Sequence, residues 1–143
     1  PLACAAGLAV LDELDRLDLY ANCRRMGALL EDRLRGLMPR YPWIGDVRGK
    51  GLLLAFELVA DRDTMAPLPR ELNAYARLVE HAFERGLIIY SRRTRGGVEG
   101  DHFMVCPPLI IDAAQVDELM GILDDSLAAF ADEAGLPRHN PAS

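Results

Sequence analysis

The chain has 143 residues, 50% of them hydrophobic and 27% charged, which is the composition of a folded globular domain and not of a disordered segment. This length corresponds to a single domain with room for a buried core. Sixteen lysine and arginine residues against 22 aspartate and glutamate residues give a net charge of −6, which argues against nucleic-acid or anionic-membrane partners because both attract basic surfaces.

The N-terminal quarter of the chain carries a helical pattern. Apolar residues recur at helical spacing from Ala6 to Met38, with a weak point at residues 20 to 22. Residues 2 to 38 are therefore predicted to form one long helix or two abutting ones, ended by Pro39.

The first eleven residues are apolar, but they do not resemble a targeting signal. No basic segment precedes them, and the helical pattern continues through charged residues without a break. No apolar run reaches the ~18 residues that a membrane span needs. Because the chain begins with Pro1 and not with Met, we expect a truncated start.

Residues 43 to 48 and 52 to 59 follow and are predicted to be two short strands, of which the second is apolar and bounded by glycine. Gly49-Lys50-Gly51 lies between them and predicts a tight turn or bulge. This tripeptide lacks the longer glycine spacing of a phosphate-binding Walker loop. Lys50 is the only lysine of the chain, so it is the one candidate for chemistry that needs a lysine nucleophile.

The second half of the chain alternates helices with short strands. The pattern predicts a loop at 60–69, a helix around 75–83 capped by Gly86, a strand at 87–90, a loop at 91–101, a strand at 103–106 and a helix from 112 to 130. The order predicts an α+β fold: a long N-terminal helix, then a small, mostly antiparallel sheet with helices on one face. We divide the single domain into a connecting helix region at 1–40, the α+β part at 43–134 and a tail at 135–143.

Cys4, Cys23 and Cys106 are widely separated and form no CxxC pair, so neither a zinc site nor a disulfide framework is predicted. We expect buried, reduced thiols, as in a cytoplasmic protein.

Three arginines, Arg92, Arg93 and Arg95, fall in a predicted loop of this acidic protein. Arginine binds a carboxylate through two parallel hydrogen bonds, so the loop is a candidate site for an anionic substrate. A solvated, flexible loop is the alternative. His102 follows Asp101, but neighbouring residues of a strand point to opposite faces, so we expect a structural or surface role for this histidine.

Four segments resemble class III pyridoxal-phosphate aminotransferases, in the order and spacing of that family. Residues 1–9 resemble the helix start that follows a Gly-His dipeptide, and residues 44–52 resemble the strand pair of the family's small domain. Residues 86–90 and 100–111 resemble the closing strands of the ω-amino acid:pyruvate transaminase branch.

The resemblance implies the fold type I architecture and identifies this chain as the C-terminal small domain of a longer enzyme. In that family the large domain carries the lysine that binds pyridoxal 5′-phosphate, the aspartate that faces its ring nitrogen and most phosphate contacts. Lys50 does not match the family lysine, so no cofactor residue is assigned here and the cofactor is expected on the missing parts. The full-length enzyme is expected to be a cytoplasmic homodimer with sites at the interface.

The implied reaction moves an amino group from an amine or ω-amino acid to a 2-oxo acid such as pyruvate, and this chain alone is expected to be inactive. Aminomutase and decarboxylase chemistry share the same domain and stay open. Many relatives carry a mobile arginine after the Gly-Leu-Ile strand. Here Tyr90 takes that position, and the candidates for binding the substrate carboxylate are Arg92, then Arg93, then Arg95. Arg48 matches the family's Arg-Gly-x-Gly element, and both a structural hydrogen bond and a substrate contact are open for it.

The alternative is a non-catalytic module, either free-standing or part of a split enzyme, that binds a small molecule. The two hypotheses differ in the surface that they predict. A domain cut from its enzyme exposes the apolar side of residues 2 to 20, whereas a free-standing domain exposes no large apolar face.

Overall fold

A computed structural model describes residues 1–139, with Arg95 described by its backbone alone. Two short 3-10 turns lie at Arg70–Leu72 and Arg95–Gly97. The helices and strands of the described residues are α1 (Leu2–Arg16), α2 (Leu19–Leu37), β1 (Ile44–Lys50), β2 (Leu53–Asp61), β3 (Ala66–Pro67), α3 (Ala74–Glu84), β4 (Tyr90–Arg93), β5 (Asp101–Val105) and α4 (Ala113–Ala134).

The N-terminal region forms two abutting helices, one of the two predicted alternatives. The break lies at Asp18, whose φ of 47° is left-handed, and residues 20 to 22 belong to α2. Helix α1 buries none of its residues, whereas α2 buries Leu30, Leu34 and Leu37 against the core. The two helices therefore differ in role: α2 is part of the domain core, whereas α1 contributes no buried residue to it.

The strands form one antiparallel sheet in the order β1-β2-β5-β4, with the two-residue strand β3 paired to β2. Its inner face packs on the helices. Phe56 of β2 and Phe103 of β5 stack there with ring centroids 5.1 Å apart, and both are buried. This arrangement confirms the predicted α+β fold with a mostly antiparallel sheet.

Helix ends and turns follow the local signals in the sequence. Asp112 and Gln115 form a reciprocal capping box at the start of α4, and Gly86 adopts a φ of 87° just after α3. The β1–β2 connection is a tight turn at Gly51 and Leu52, as the glycines predicted.

The third predicted strand was misplaced by three residues. The apolar run 87–90 suggested the strand, but β4 covers Tyr90–Arg93 and so takes in the start of the predicted arginine loop. Ile88 is 83% exposed, so it contributes no strand-like burial. The strand position follows from pairing with β5, in which Tyr90 lies opposite Met104 and Arg93 lies opposite Asp101.

The cysteine prediction was wrong in part. All three thiols are free, but Cys4 and Cys106 are exposed and Cys23 is half-buried. Cys4 is exposed because α1 has no buried residue, and Cys106 is exposed because it directly follows the last residue of β5.

The beginning of the predicted tail packs against the domain. The Trp43 indole nitrogen donates to the Pro137 carbonyl at 2.9 Å, and the His139 amide donates to the Arg40 carbonyl at 2.8 Å. Residues 140–143 of that tail lie outside the described residues. Among the described helices, none combines the length and the hydropathy needed to cross a membrane.

Candidate functional site

The face of the sheet opposite the core carries the candidate site. We call it the outer sheet face and define it by eight side chains at paired positions of β1, β2, β5 and β4. None belongs to the buried core; they are Asp46, Arg48, Ala55, Glu57, His102, Met104, Tyr90 and Arg92.

Arg48 on this face is held by two carboxylates. One of its terminal nitrogens donates to Asp46 Oδ2 and to Glu57 Oε2, each at 2.8 Å. The hydrogen bond that Arg48 donates to Asp46, opposed by partial burial and reinforced by Glu57, raises the pKa of Arg48. The structure thus places Arg48 in a hydrogen-bonded cluster with two carboxylates of the same sheet.

Arg92 lies at the other edge of the same face. Its side chain is exposed, its guanidinium carbon is 5.5 Å from the centroid of the Tyr90 ring, and it lies opposite His102 across the strand pair. Among residues 1–139 as described, no carboxylate lies within ion-pair distance of Arg92. Its guanidinium is therefore available to an external anion.

Arg93 points to the other side of the sheet. Its Nε donates to Asp101 Oδ1 at 3.0 Å, and the two side chains are only 14% and 6% exposed. Its guanidinium carbon lies 4.1 Å from the centroid of the Tyr75 ring, and a terminal nitrogen donates to Asn73 Oδ1 at 3.3 Å. The pleat of β4 therefore separates two consecutive arginines into an exposed one and a buried, paired one.

The third candidate, Arg95, begins the 3-10 turn that follows β4. The backbone around it is set by Thr94, whose amide and hydroxyl both donate to the Gly100 carbonyl. Arg95 thus belongs to a separate turn and not to the strand that carries the other two arginines.

His102 and Asp101 point to opposite faces, as the strand geometry predicted. Asp101 is buried on the inner face, whereas His102 lies on the outer face between Glu57 and Arg92. The Nδ1 atom of His102 is buried and has no hydrogen-bond partner among the described residues. Tyr75 and Asn73, which contact Arg93, were not found in the sequence because their contacts cross between elements.

Lys50 does not form a cofactor pocket. It lies exposed at the end of β1, beside the tight turn, and its neighbours Gly49 and Gly51 carry no side chain. A lysine that binds pyridoxal 5′-phosphate needs surrounding groups for the ring and the phosphate. The residues around Lys50 do not fit that cofactor.

A cavity of about 410 Å³ lies elsewhere, at the end of β5. It is lined mainly by apolar groups of the α3–β4 connection, the proline loop after β5 and α4. Its lining includes Ile88, Cys106, Pro108, Ile110 and Leu119. The mouth of this cavity adds to the exposed apolar surface of the molecule.

Comparison with known proteins identifies the family. The model of the family described as aminotransferase class-III matches residues 1–127. The chain belongs to the class III aminotransferases. Its α+β fold is accordingly that of the small domain of a fold type I transaminase.

Relatives of known name include enzymes with different reactions. The chain is 35% identical over 133 residues to a taurine–pyruvate aminotransferase of Bilophila wadsworthia, covering 92% of this chain and 28% of that protein. It is 34% identical over 128 residues to a leucine/methionine racemase of Thermococcus litoralis, covering 90% of this chain and 27% of that protein.

Solved structures of transaminases resemble the chain closely. A transaminase from directed evolution by ancestral reconstruction has a TM-score of 0.82 at 38% identity, over 93% of this chain and 28% of its own. An aminotransferase from Vibrio fluvialis in a PMP-bound form has a TM-score of 0.81 at 31% identity, over 94% of this chain and 28% of its own. The chain therefore spans a little more than a quarter of the length of its relatives.

Proposed function

We propose that this chain is the C-terminal small domain of a PLP-dependent transaminase that moves an amino group from an amine or ω-amino acid to a 2-oxo acid such as pyruvate. The observation that carries the proposal is the exposed guanidinium of Arg92 on the outer sheet face, with Tyr90 beside it. Such a group offers two parallel hydrogen bonds to a carboxylate, the group that every 2-oxo acid carries. Arg92 is accordingly the first candidate for binding the substrate carboxylate, ahead of Arg93 and Arg95.

The exposed surface of α1 supports the division into a connecting helix region and a small domain. Leu8 is 63% exposed and Leu11 is 53% exposed, and the whole of α1 buries no residue. An amphipathic helix normally buries its apolar side against a neighbour. In the proposed enzyme, the large domain covers this side of α1.

The chemistry of the reaction belongs to parts outside this chain. Pyridoxal 5′-phosphate takes up the electrons released at the reacting carbon, and the protein supplies binding and orientation. The part of this chain is to close over the substrate and to hold its carboxylate. A cytoplasmic homodimer with sites at the interface belongs to the same proposal.

The first prediction is that the purified 143-residue chain has no transaminase activity. Its only lysine, Lys50, is exposed at a turn and lacks cofactor-binding neighbours. Incubation with pyridoxal 5′-phosphate, an amine donor and pyruvate should give no alanine above the blank. Turnover above the blank that disappears in a Lys50→Arg variant would contradict the proposal and place the chemistry in this chain.

The second prediction concerns self-association through α1. Because exposed apolar side chains such as Leu8 and Leu11 of α1 favour contact between molecules, the chain alone should form dimers or larger species at micromolar concentration. The double variant Leu8→Glu/Leu11→Glu should be monomeric in sedimentation velocity. Glu13→Gln, on the side of the same helix opposite Leu8 and Leu11, is the matched control and should still associate. A monomeric wild-type chain would favour the free-standing module.

The third prediction is made for the complete enzyme. Loss of a hydrogen-bonded charge costs about 1.5–3 kcal/mol, so Arg92→Ala should raise the KM for a 2-oxo acid about 10- to 100-fold. The KM for a neutral aldehyde should change by less than about twofold, since an aldehyde offers no carboxylate to the guanidinium. Steady-state kinetics with both acceptors measures the difference.

The control for this prediction is Arg70→Ala, an exposed arginine in the 3-10 turn Arg70–Leu72. It removes the same charge from the domain at an element outside β4 and should leave both KM values unchanged. Equal effects of Arg92→Ala on the acid and the aldehyde would remove Arg92 from the substrate site. The same comparison for Arg95→Ala tests the third candidate.

A further inference from the structure

The edge strand β4 presents Arg92 but has little backbone support of its own. It has four residues, Tyr90–Arg93, and pairs with β5 alone, because it is the last strand in the order β1-β2-β5-β4. Short segments paired on one side open locally at low free energy. The position of Arg92 on the outer sheet face therefore depends on contacts that fix β4 to the rest of the domain.

Arg93 makes these contacts. From the inner side of β4 it joins Asp101 of β5, stacks on Tyr75 of α3, and reaches Asn73, the residue directly before α3. One side chain thus ties the edge strand both to its neighbouring strand and to the helix beneath it.

The ion pair between Arg93 and Asp101 is shielded from solvent and differs in this from an ion pair at the surface. Both side chains are largely shielded from solvent, at 14% and 6% exposure, and in such a pair the loss of one partner leaves a poorly solvated charge without compensation. Surface ion pairs, in contrast, contribute little. The ion pair also fixes the register of β4 against β5, because a slip of β4 by one residue would turn Arg92 inward and Arg93 outward.

We propose that Arg93 is a positioning residue: through its ion pair with Asp101 and its stacking on Tyr75, it fixes the register of β4 and so holds Arg92 on the outer sheet face. This inference rests on the proposed function, because it explains the contacts of Arg93 by the need to place Arg92, the proposed carboxylate-binding arginine. It gives the two consecutive arginines different tasks, one of binding and one of support.

The experiment is amide hydrogen exchange by NMR on the 143-residue chain carrying Leu8→Glu/Leu11→Glu, the background expected to be monomeric. The chemical shifts of the Arg92 side chain are recorded with it, because the nearby Tyr90 ring shifts them. Arg93→Gln should lower protection of the β4 amides by about tenfold or more, leave the β1–β2 pairs unchanged, and move the Arg92 shifts toward random-coil values. Asp101→Asn should act in the same way. Arg93→Lys, which keeps the charge, should restore part of the protection.

The control variant is Arg92→Ala, which removes the proposed carboxylate contact and should leave β4 protection intact. Unchanged exchange and unchanged Arg92 shifts in Arg93→Gln would overturn the positioning role. An equal loss of protection across all strands would overturn it as well, since it would mean general destabilisation. Because these measurements need no substrate, their result is separate from the kinetic test of Arg92, which decides the proposed function.

Discussion

Replacing Phe103 with alanine is expected to lower the free energy of unfolding of the chain by about 3–5 kcal/mol. Phe103 has no exposed surface, and its ring stacks on that of Phe56 at an angle of 15° between planes. It lies in β5, whose backbone is paired on both sides by β2 and β4. The strand cannot move inward to fill the cavity, so the cost should lie near the upper part of the range for such deletions.

Urea denaturation followed by circular dichroism measures this loss. The matched control is Phe83→Ala in α3, because Phe83 is 68% exposed and should change the free energy of unfolding by less than about 0.5 kcal/mol. Similar effects of the two substitutions would mean that the stacked pair does not form the core. Phe103 also lies opposite Ser91, so the same packing supports the strand that presents Arg92.

Elements with local signals were predicted well from the sequence. Helix α4 has its capping box at Asp112 and Gln115, and the glycines at 49 and 51 mark the tight turn between β1 and β2. In each case the signal lies within a few residues of the structure that it specifies. The family resemblance agreed with these elements because it depends on their order along the chain.

Strand β4 was misplaced because its position depends on distant partners. The run 87–90 is more apolar than 90–93, and periodicity alone therefore favours the earlier segment. What fixes the strand is pairing with β5 and the buried contact between Arg93 and Asp101. Neither contact leaves a pattern in the local sequence, since sequence patterns predict that a charged residue of a short strand is exposed.

The candidate site shows the same limit. The sequence predicted three arginines in one loop, whereas the structure divides them among the outer face, the inner face and a following turn. Once β4 is known to include Arg92 and Arg93, the pleat alone predicts that they point apart. The bounds of β4 therefore had to be predicted correctly before the different orientations of Arg92 and Arg93 could be derived.

The second large effect is expected at Gly27, the point at which α2 contacts the β1–β2 turn. A side-chain carbon on Gly27 would lie 2.4 Å from the carbonyl carbon and oxygen of Gly51. These are backbone atoms, and Gly51 in turn has a left-handed φ of 55° and lies against the Cys23 thiol. Gly27→Ala is therefore expected to destabilise the chain by about 3 kcal/mol, at the upper end of the cost of overpacking.

Gly36→Ala, in the same helix, separates this steric effect from helix propensity. Nothing lies within 4 Å of a side-chain carbon placed on Gly36, so alanine there should stabilise the chain by about 0.5–1 kcal/mol. Urea denaturation should thus give opposite signs for the same substitution at two positions of α2. If Gly27→Ala were also stabilising, α2 could not lie directly on the turn. Because that turn joins the strands carrying Arg48 and Glu57, the outer sheet face depends on this glycine although it lies on the opposite side of the sheet.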